Sequence, residues 1–135
     1  MIISILIGRK GSRGFKGKNT KKILGKACCE YPLFAAKNSK FVKKIFVSTD
    51  CPKIKNISKN YGAEIIERPK KLANSNALGE DVYKHAYEEV EKKYGKKKIS
   101  LIVLLMANAP TINSKMIDTG IKKLQKNKKF DSVVS

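Results

Sequence analysis

A segment rich in glycine and in cationic side chains follows the first apolar run of the chain. From Gly8 to Gly17 glycine occurs at every third position, and five lysines or arginines lie within residues 9–18. Glycine lets backbone N–H groups approach a phosphate closely, and lysine and arginine supply the positive charge that a triphosphate requires. The segment therefore predicts a phosphate-binding loop. The alternative is a flexible basic surface loop that holds no ligand.

The spacing of the loop residues excludes the two most common glycine-rich phosphate motifs. A P-loop requires Gly, four further residues and then Gly-Lys-Ser/Thr, whereas Gly17-Lys18 is followed by Asn19 and Ser12 stands where the first glycine is needed. The dinucleotide fingerprint GxGxxG also fails, because these glycines are spaced by three. The loop therefore indicates phosphate binding of another type.

Few other side chains have the chemistry for catalysis or metal binding. Asp50 follows a second apolar run, so it could face a ligand, but Thr49 or Asp50 also suits the N-cap of a following helix, which we favour. His85 lies in a helical pattern and is interpreted as a partly exposed helix residue rather than a base. The three cysteines form neither a CxxC pair nor an even-numbered disulfide framework, so reduced structural thiols are expected.

The elements that must position these residues alternate between apolar runs of strand length and amphipathic stretches. This pattern predicts an α/β fold, with an open, mainly parallel Rossmann-like sheet and helices on both faces. The predicted strands are Ile2 to Ile7, Ile45 to Ser48, Ala63 to Ile66, Ile99 to Leu105, and one that begins at Ser132. The predicted helices are Pro32 to Phe41, Pro52 to Tyr61, Leu78 to Tyr94, and one capped by Asn113 or Ser114. Ligands bind beyond the carboxyl ends of such strands, which is where the glycine-rich loop leaves the first strand.

The length of 135 residues suits one domain with a core of its own. A strand that begins at Ser132 would have no helix or loop after it. We therefore expect residues 1–135 to form a single nucleotide-binding domain that is incomplete at its C-terminus.

The chain is strongly basic, with 30 Lys+Arg against 11 Asp+Glu and a formal net charge of +19. Such a charge suits nucleic acid, an anionic membrane surface or a polyanionic substrate. The lysines are scattered in doublets, however, and no basic stripe alternates with aromatic residues. We expect a solvated lysine surface and no specific nucleic-acid partner. No segment has the roughly 20 apolar residues of a membrane helix or the pattern of a signal peptide, so we expect no membrane partner and a cytoplasmic location.

The loop sequence GRKGSRGFKGKN resembles the signature A-R-x-G-S-K/R-G-x-x-x-K-N of the acylneuraminate cytidylyltransferases, the CMP-sialic acid synthetases, where it also follows the first strand. Further stretches resemble that family in the same order: IFVSTD at 45–50, YGAE at 61–64, RP at 68–69 with LA at 72–73, and DSVVS at 131–135. The resemblance spans essentially the whole chain. It implies the N-terminal portion of such an enzyme and the fold of nucleotide-diphospho-sugar transferases.

The resemblance also implies a site and a reaction. The residues implied in nucleotide binding are Gly8, Arg9, Gly11, Ser12, Gly14, Lys18, Asn19 and Arg68. Arg9 and Lys18 would in addition stabilise charge during catalysis. The reaction is in-line attack of a sugar hydroxyl on the α-phosphate of CTP, with Mg²⁺ as cofactor and pyrophosphate as leaving group, and it needs no covalent nucleophile.

The sequence departs from the family where the acceptor sugar is expected. The family's L-L-Q-P-T-S-P-L-R reads LLMANAPTI here, so Pro110 matches, Met106 replaces the glutamine and the final arginine is missing. Asn108 and Thr111 are the polar groups left to bind the sugar. The metal-binding aspartates of the family would lie beyond this chain, so metal ligands stay unassigned.

The leading hypothesis is therefore transfer of CMP from CTP to an acidic eight- or nine-carbon sugar, by an enzyme that the resemblance implies is a homodimer. Two alternatives remain open. The chain could use another nucleoside triphosphate or a sugar 1-phosphate, or it could be a non-catalytic basic module that binds nucleotide or nucleic acid. Steeply salt-dependent binding to arbitrary duplex DNA would favour the last of these.

Overall fold

The computed structural model describes residues 1–11 and 14–134. The strands are β1 (Ile2–Ile7), β2 (Lys22–Ile23), β3 (Lys26–Ala27), β4 (Val42–Thr49), β5 (Glu64–Glu67) and β6 (Leu101–Met106). The helices are α1 (Glu30–Lys37), α2 (Pro52–Asn60), α3 (Gly79–Tyr94) and α4 (Ser114–Lys126), with short 3₁₀ turns at Lys18–Thr20, Lys70–Leu72 and Lys96–Lys98. Four strands form one parallel sheet in the order β5-β4-β1-β6, while β2 and β3 form a small antiparallel hairpin. The predicted parallel α/β sheet is confirmed.

The central strand β1 is buried on both faces, which explains its continuous apolar sequence. Alternate side chains point to opposite faces of a strand. Ile3 and Ile5 belong to a core cluster that includes Ala86 of α3, whereas Leu6 belongs to a second cluster that includes Ile121 of α4. Helices therefore cover both faces of the sheet, as the sequence predicted.

The cap predicted for the last helix is confirmed. Asn113 Oδ1 accepts a hydrogen bond from Met116 N at 3.0 Å, which satisfies one of the free amides at the start of α4. Ile117 and Ile121 are buried on the inner face of that helix, also as predicted. Among the described residues no helix combines the length and apolar character needed to cross a membrane.

The first helix differs from its prediction, since it begins at Glu30 and ends at Lys37. The side chain of Asn38 donates a hydrogen bond from Nδ2 to Phe34 O at 2.8 Å and ends the helix there. Val42 pairs with Ile2 of β1, so the strand that follows starts three residues earlier than expected.

The strand predicted to begin at Ser132 is wrong for residues 132–134, which form no strand. These residues pair with neither edge strand of the four-stranded sheet. Val133 lies instead beside Gly120 of α4, where an added Cβ would stand 3.8 Å from Val133 Cγ1. Val134 is 91% exposed.

The strand β6 forms one edge of the sheet. Its inward side chain Leu105 is buried, but Leu104 and Met106 are 55% and 53% exposed. The described part of the chain thus covers only one face of β6 near its carboxyl end.

Candidate functional site

The carboxyl ends of three neighbouring strands meet at one backbone oxygen. The Ser48 carbonyl, near the end of β4, accepts a hydrogen bond from Gly8 N at 3.2 Å, directly after β1. It also accepts one from Arg68 Nη2 at 2.7 Å, directly after β5. This shared acceptor fixes the start of the glycine-rich loop over the edge of the sheet.

Gly8 is required by packing at this point. An added Cβ would lie 2.7 Å from Ala107 Cβ and 3.1 Å from Ile54 Cδ1, so even alanine would force its neighbours to move. The sequence predicted Gly8 as a nucleotide-binding residue. The structure gives it a further reason, which is close contact of the loop with α2 and with the end of β6.

The next two loop residues are held by side chains from elsewhere. Asn19 Nδ2 donates a hydrogen bond to the Arg9 carbonyl at 3.2 Å, and Asn19 is only 9% exposed. Asp50 Oδ1 accepts from Lys10 N at 2.8 Å. The N-cap that we favoured for Thr49 or Asp50 is wrong, because α2 has Cys51 as its N-cap and no side-chain cap. Thr49 Oγ1 accepts from Cys51 N instead, and Asp50 faces the loop.

The C-terminal end of the glycine-rich loop lies close to its N-terminal end. Gly17 adopts φ +71°, a left-handed conformation that favours glycine, and leads into the 3₁₀ turn that carries Lys18 and Asn19. A small open cleft lies between the two ends of the loop. It is lined by Arg9, Lys10, Gly11, Gly17, Lys18, Asn19, Thr20, Cys51 and Ile54.

The cleft thus brings together Arg9, Gly11, Lys18 and Asn19, all four of which the sequence predicted as nucleotide-binding. Gly14 is exposed and lies farther along the loop, with no atoms near an added Cβ. The predicted residue Ser12 lies outside the described residues.

Arg68 lies under the loop rather than on its surface. It is 9% exposed, and its Nε has no hydrogen-bond partner among the described residues. Burial lowers the pKa of the Arg68 guanidinium, while the charge of Asp50 raises it and that of Arg9 lowers it. A buried guanidinium this close to the loop contributes positive potential to the cleft and braces the Ser48 carbonyl at the same time.

Tyr83 adds a contact that the sequence did not suggest. Its hydroxyl donates to Leu105 O at 2.7 Å and so joins α3 to the end of β6. Burial raises the pKa of Tyr83 to about 12, against a smaller opposite effect of Arg68. No sequence signal could identify either this contact or the role of the Ser48 carbonyl, because both depend on backbone oxygens.

The residues predicted to bind sugar lie at the same edge of the sheet but outside the cleft. Asn108 and Thr111 are exposed and follow β6 in the chain. Ala107 N donates to Ile7 O at 3.0 Å, which places the end of β6 beside the end of β1. The two predicted subsites are therefore neighbours, and neither Asn108 nor Thr111 lines the nucleotide cleft.

The described residues provide no complete set of protein ligands for magnesium. Within residues 1–11 and 14–134, no group of three or more His, Cys, Asp or Glu side chains is close enough to hold a metal ion. Asp50 is engaged by Lys10 N, and Asp81 is exposed in the first turn of α3. The described residues do not fit a metal site built from protein ligands alone.

The remaining candidates for a chemical role are the three cysteines and His85. All three cysteines are free and buried, as expected for reduced thiols. Burial, followed by the nearby charges of Glu30 and Cys28, raises the pKa of Cys29 to about 12, so this thiol is a poor nucleophile. His85 is half-buried in α3, as the sequence suggested.

Comparison with known proteins agrees with the geometry. The sequence profile of the family described as "Cytidylyltransferase" matches residues 3–135. The chain is 32% identical over 132 residues to a pseudaminic acid cytidylyltransferase and UDP-2,4-diacetamido-2,4,6-trideoxy-beta-L-altropyranose hydrolase of Helicobacter pylori, covering 97% of this chain and 25% of that protein. It is 31% identical over 137 residues to an N-acylneuraminate cytidylyltransferase of Escherichia coli, covering 99% of this chain and 30% of that protein.

A solved structure of similar fold is a CMP:2-keto-3-deoxy-manno-octonic acid synthetase complexed with CTP. It aligns with a TM-score of 0.73 and 20% identity over 94% of this chain and 48% of that chain. The chain therefore spans a quarter to under a third of the length of these two relatives and about half of that structure. The fold is that of the nucleotide-diphospho-sugar transferases. With a family profile that matches nearly every residue, this chain belongs to the cytidylyltransferase family.

Proposed function

We propose that this chain forms the nucleotide-binding part of an enzyme that transfers CMP from CTP to an acidic eight- or nine-carbon sugar and releases pyrophosphate. The observation that carries the proposal is the cleft at the carboxyl end of β1. Arg9 and Lys18 line this cleft, and hydrogen bonds from Asn19 and to Asp50 hold the backbone of the loop in place. The relatives support the sugar class, since their names specify pseudaminic acid and N-acylneuraminate.

The loop suits a triphosphate for two physical reasons. First, no ion pair among the described residues joins Arg9 or Lys18 to a carboxylate, so their charge remains available for phosphate oxygens. Second, the hydrogen bonds to residues 8–10 hold the backbone in place before a ligand arrives, which reduces the entropy lost on binding.

The proposed reaction is an in-line displacement. The sugar hydroxyl oxygen forms a bond to the α-phosphorus of CTP, the bond from that phosphorus to the bridging oxygen breaks, and pyrophosphate leaves while the hydroxyl proton passes to solvent. Arg9 and Lys18 stabilise negative charge that develops on the phosphate oxygens, and Gly11 lets the backbone approach them. Asn108 and Thr111 would orient the sugar. Magnesium and the homodimer stay predictions, and no step depends on them.

Isothermal titration calorimetry with CTP tests the nucleotide site. Arg9→Ala and Lys18→Ala should each weaken binding by about 1.5–3 kcal/mol, because each removes a charge-assisted contact. Lys16→Ala is the matched control, since Lys16 is an exposed cation of the same loop that does not line the cleft. Equal affinity of all three variants and the unaltered chain would refute the assignment.

The same titrations separate the competing activities. Competition by UTP, ATP and GTP should be weaker than by CTP if the site is a cytidylyltransferase site. Equal binding of all four would favour a different nucleotidyltransferase. Binding to arbitrary duplex DNA that falls steeply with salt, without any preference for CTP, would favour a nucleic-acid-binding module.

A further inference from the structure

Asp50 contacts the glycine-rich loop although it lies 40 residues away in the chain. It is the first residue after β4, and its Oδ1 lies 2.8 Å from the backbone nitrogen of Lys10. Within the described residues this carboxylate accepts no hydrogen bond from the helix that follows, whose N-cap is Cys51. The contact of Asp50 is therefore with the loop and not with its own helix.

Three consecutive loop residues each have one backbone group fixed. Gly8 N donates to Ser48 O, the Arg9 carbonyl accepts from Asn19 Nδ2, and Lys10 N donates to Asp50. Two of these three partners belong to the last residues of β4 and the residue after it. The end of β4 thus acts as a template for the start of the loop, and Asp50 contacts the last of these three residues.

A carboxylate next to a triphosphate site carries an electrostatic cost, because like charges repel. Here burial lowers the pKa of the Arg68 guanidinium and the charge of Asp50 raises it, so the two side chains attract each other. Arg9 and Lys18 line the cleft itself. The surroundings therefore keep the cleft positive beside Asp50, whose Oδ1 accepts the hydrogen bond from Lys10 N.

We propose that Asp50 is a positioning residue of the nucleotide site, which holds the first turn of the glycine-rich loop in its binding conformation through Lys10 N–H. The proposal rests on the proposed function for the identity of the ligand, CTP. It assigns Asp50 no contact with the reacting atoms. Its side chain acts through the loop backbone.

Two variants distinguish a hydrogen-bond acceptor from a charge. Asp50→Ala removes the acceptor, so amide hydrogen exchange at Lys10 should accelerate at least about tenfold and CTP should bind about tenfold more weakly. Asp50→Asn keeps an acceptor oxygen without the charge, so its CTP affinity should stay within about threefold of the unaltered chain. Both effects should be the same with Mg²⁺ and with EDTA, because the hydrogen bond involves no metal.

Three results would overturn the proposal. Unchanged Lys10 exchange in Asp50→Ala would show that the hydrogen bond does not hold the loop. An affinity loss that is equal in both variants and disappears in EDTA would make Asp50 a metal ligand. Tighter CTP binding by Asp50→Ala would show that the carboxylate competes with phosphate for the loop amides.

The controls separate this proposal from the proposed function. Asp81→Ala removes an exposed aspartate at the start of α3 and should change neither Lys10 exchange nor CTP affinity. Hydrogen exchange is measured without nucleotide, so it tests the loop contact even if the unaltered chain fails to bind CTP, which would refute only the function. Asp50→Ser, whose shorter side chain does not reach Lys10 N, provides the same comparison if the alanine variant does not fold.

Discussion

The cationic side chains around Glu64 at the amino end of β5 and those of the glycine-rich loop at the carboxyl end of β1 differ in their partners. At the amino end of β5, Glu64 accepts hydrogen bonds from Lys44 at 3.1 Å, from Lys93 at 2.7 Å and from the Tyr94 hydroxyl at 2.6 Å. At the carboxyl end, no described carboxylate forms an ion pair with Arg9 or Lys18. Lys44 and Lys93 therefore stabilise the fold at the amino end of β5, whereas Arg9 and Lys18 remain available to a ligand at the carboxyl end of β1.

The backbone of the glycine-rich loop also distinguishes the carboxyl end. At the carboxyl end, Gly8, Arg9 and Lys10 are held by hydrogen bonds to three different partners. The net charge of +19 alone could not identify this place, because the lysines are distributed over the whole chain. What distinguishes the site is a fixed backbone beside Arg9 and Lys18, neither of which forms an ion pair with a carboxylate of the described residues.

Gly8→Ala should have the largest effect on stability, and it should act only at the carboxyl end of the sheet. The added Cβ would stand 2.7 Å from Ala107 Cβ, and relief of that clash should destabilise the chain by about 1–3 kcal/mol. Thermal and urea unfolding measure the change. Gly11→Ala is the matched control, because among the described residues no atom beyond its chain neighbours lies within 4 Å of its added Cβ. Equal stability of both variants would contradict the tight packing of Gly8.

The amino end of the sheet should make folding stability depend on pH through Glu64. Burial alone would raise the pKa of Glu64, but hydrogen bonds from Lys93, Tyr94 and Lys44 lower it from 4.5 to about 2. A lowered carboxyl pKa stabilises the folded state above pH 4.5, and this contribution is lost as the pH falls from 4.5 towards 2. Because the side chain is 30% exposed, we expect a contribution of about 1–2 kcal/mol.

Urea unfolding at several pH values checks this expectation with Glu64→Gln. The variant should lose stability at neutral pH and show a smaller decline between pH 4.5 and 2 than the unaltered chain. Glu89→Gln is the control, since Glu89 forms an exposed ion pair with Lys92 on α3 and should change the pH profile less. Parallel pH profiles for Glu64→Gln and the unaltered chain would contradict the role of Glu64.

The smallest effect should come from the sugar side of the carboxyl end. Met106 is 53% exposed and replaces a glutamine of the resembled family, so N-acetylneuraminate should be a poorer acceptor than another 3-deoxy-ulosonic acid. Met106→Gln should raise the relative use of N-acetylneuraminate about three- to tenfold, the value of one restored hydrogen bond. A pyrophosphate-release assay with CTP and a sugar panel measures the ratio. A preference for N-acetylneuraminate before the substitution would contradict this interpretation of Met106.

The sequence predicted the sheet and most of the loop because both follow from local patterns. The apolar run of β1 and the glycines and cations after it are contiguous in the chain, and the cap at Asn113 needs only neighbouring residues. Asp50 was misassigned as a cap because its partner, Lys10 N, is distant in sequence. The strand expected at Ser132 did not form in residues 132–134, because Val133 packs beside α4 and these residues pair with neither edge strand of the sheet.

The most direct test of the account is nuclear magnetic resonance of the labelled chain during titration with CTP. The account predicts that the largest amide shift changes occur at Gly8 to Gly11 and at Lys18 and Asn19, while Lys44 and Glu64 at the amino end change little. A second cleft, lined in part by Lys37, Lys43 and Lys44, lies at that amino end. Shift changes concentrated there, with the glycine-rich loop unaffected, would contradict the assignment of the nucleotide site.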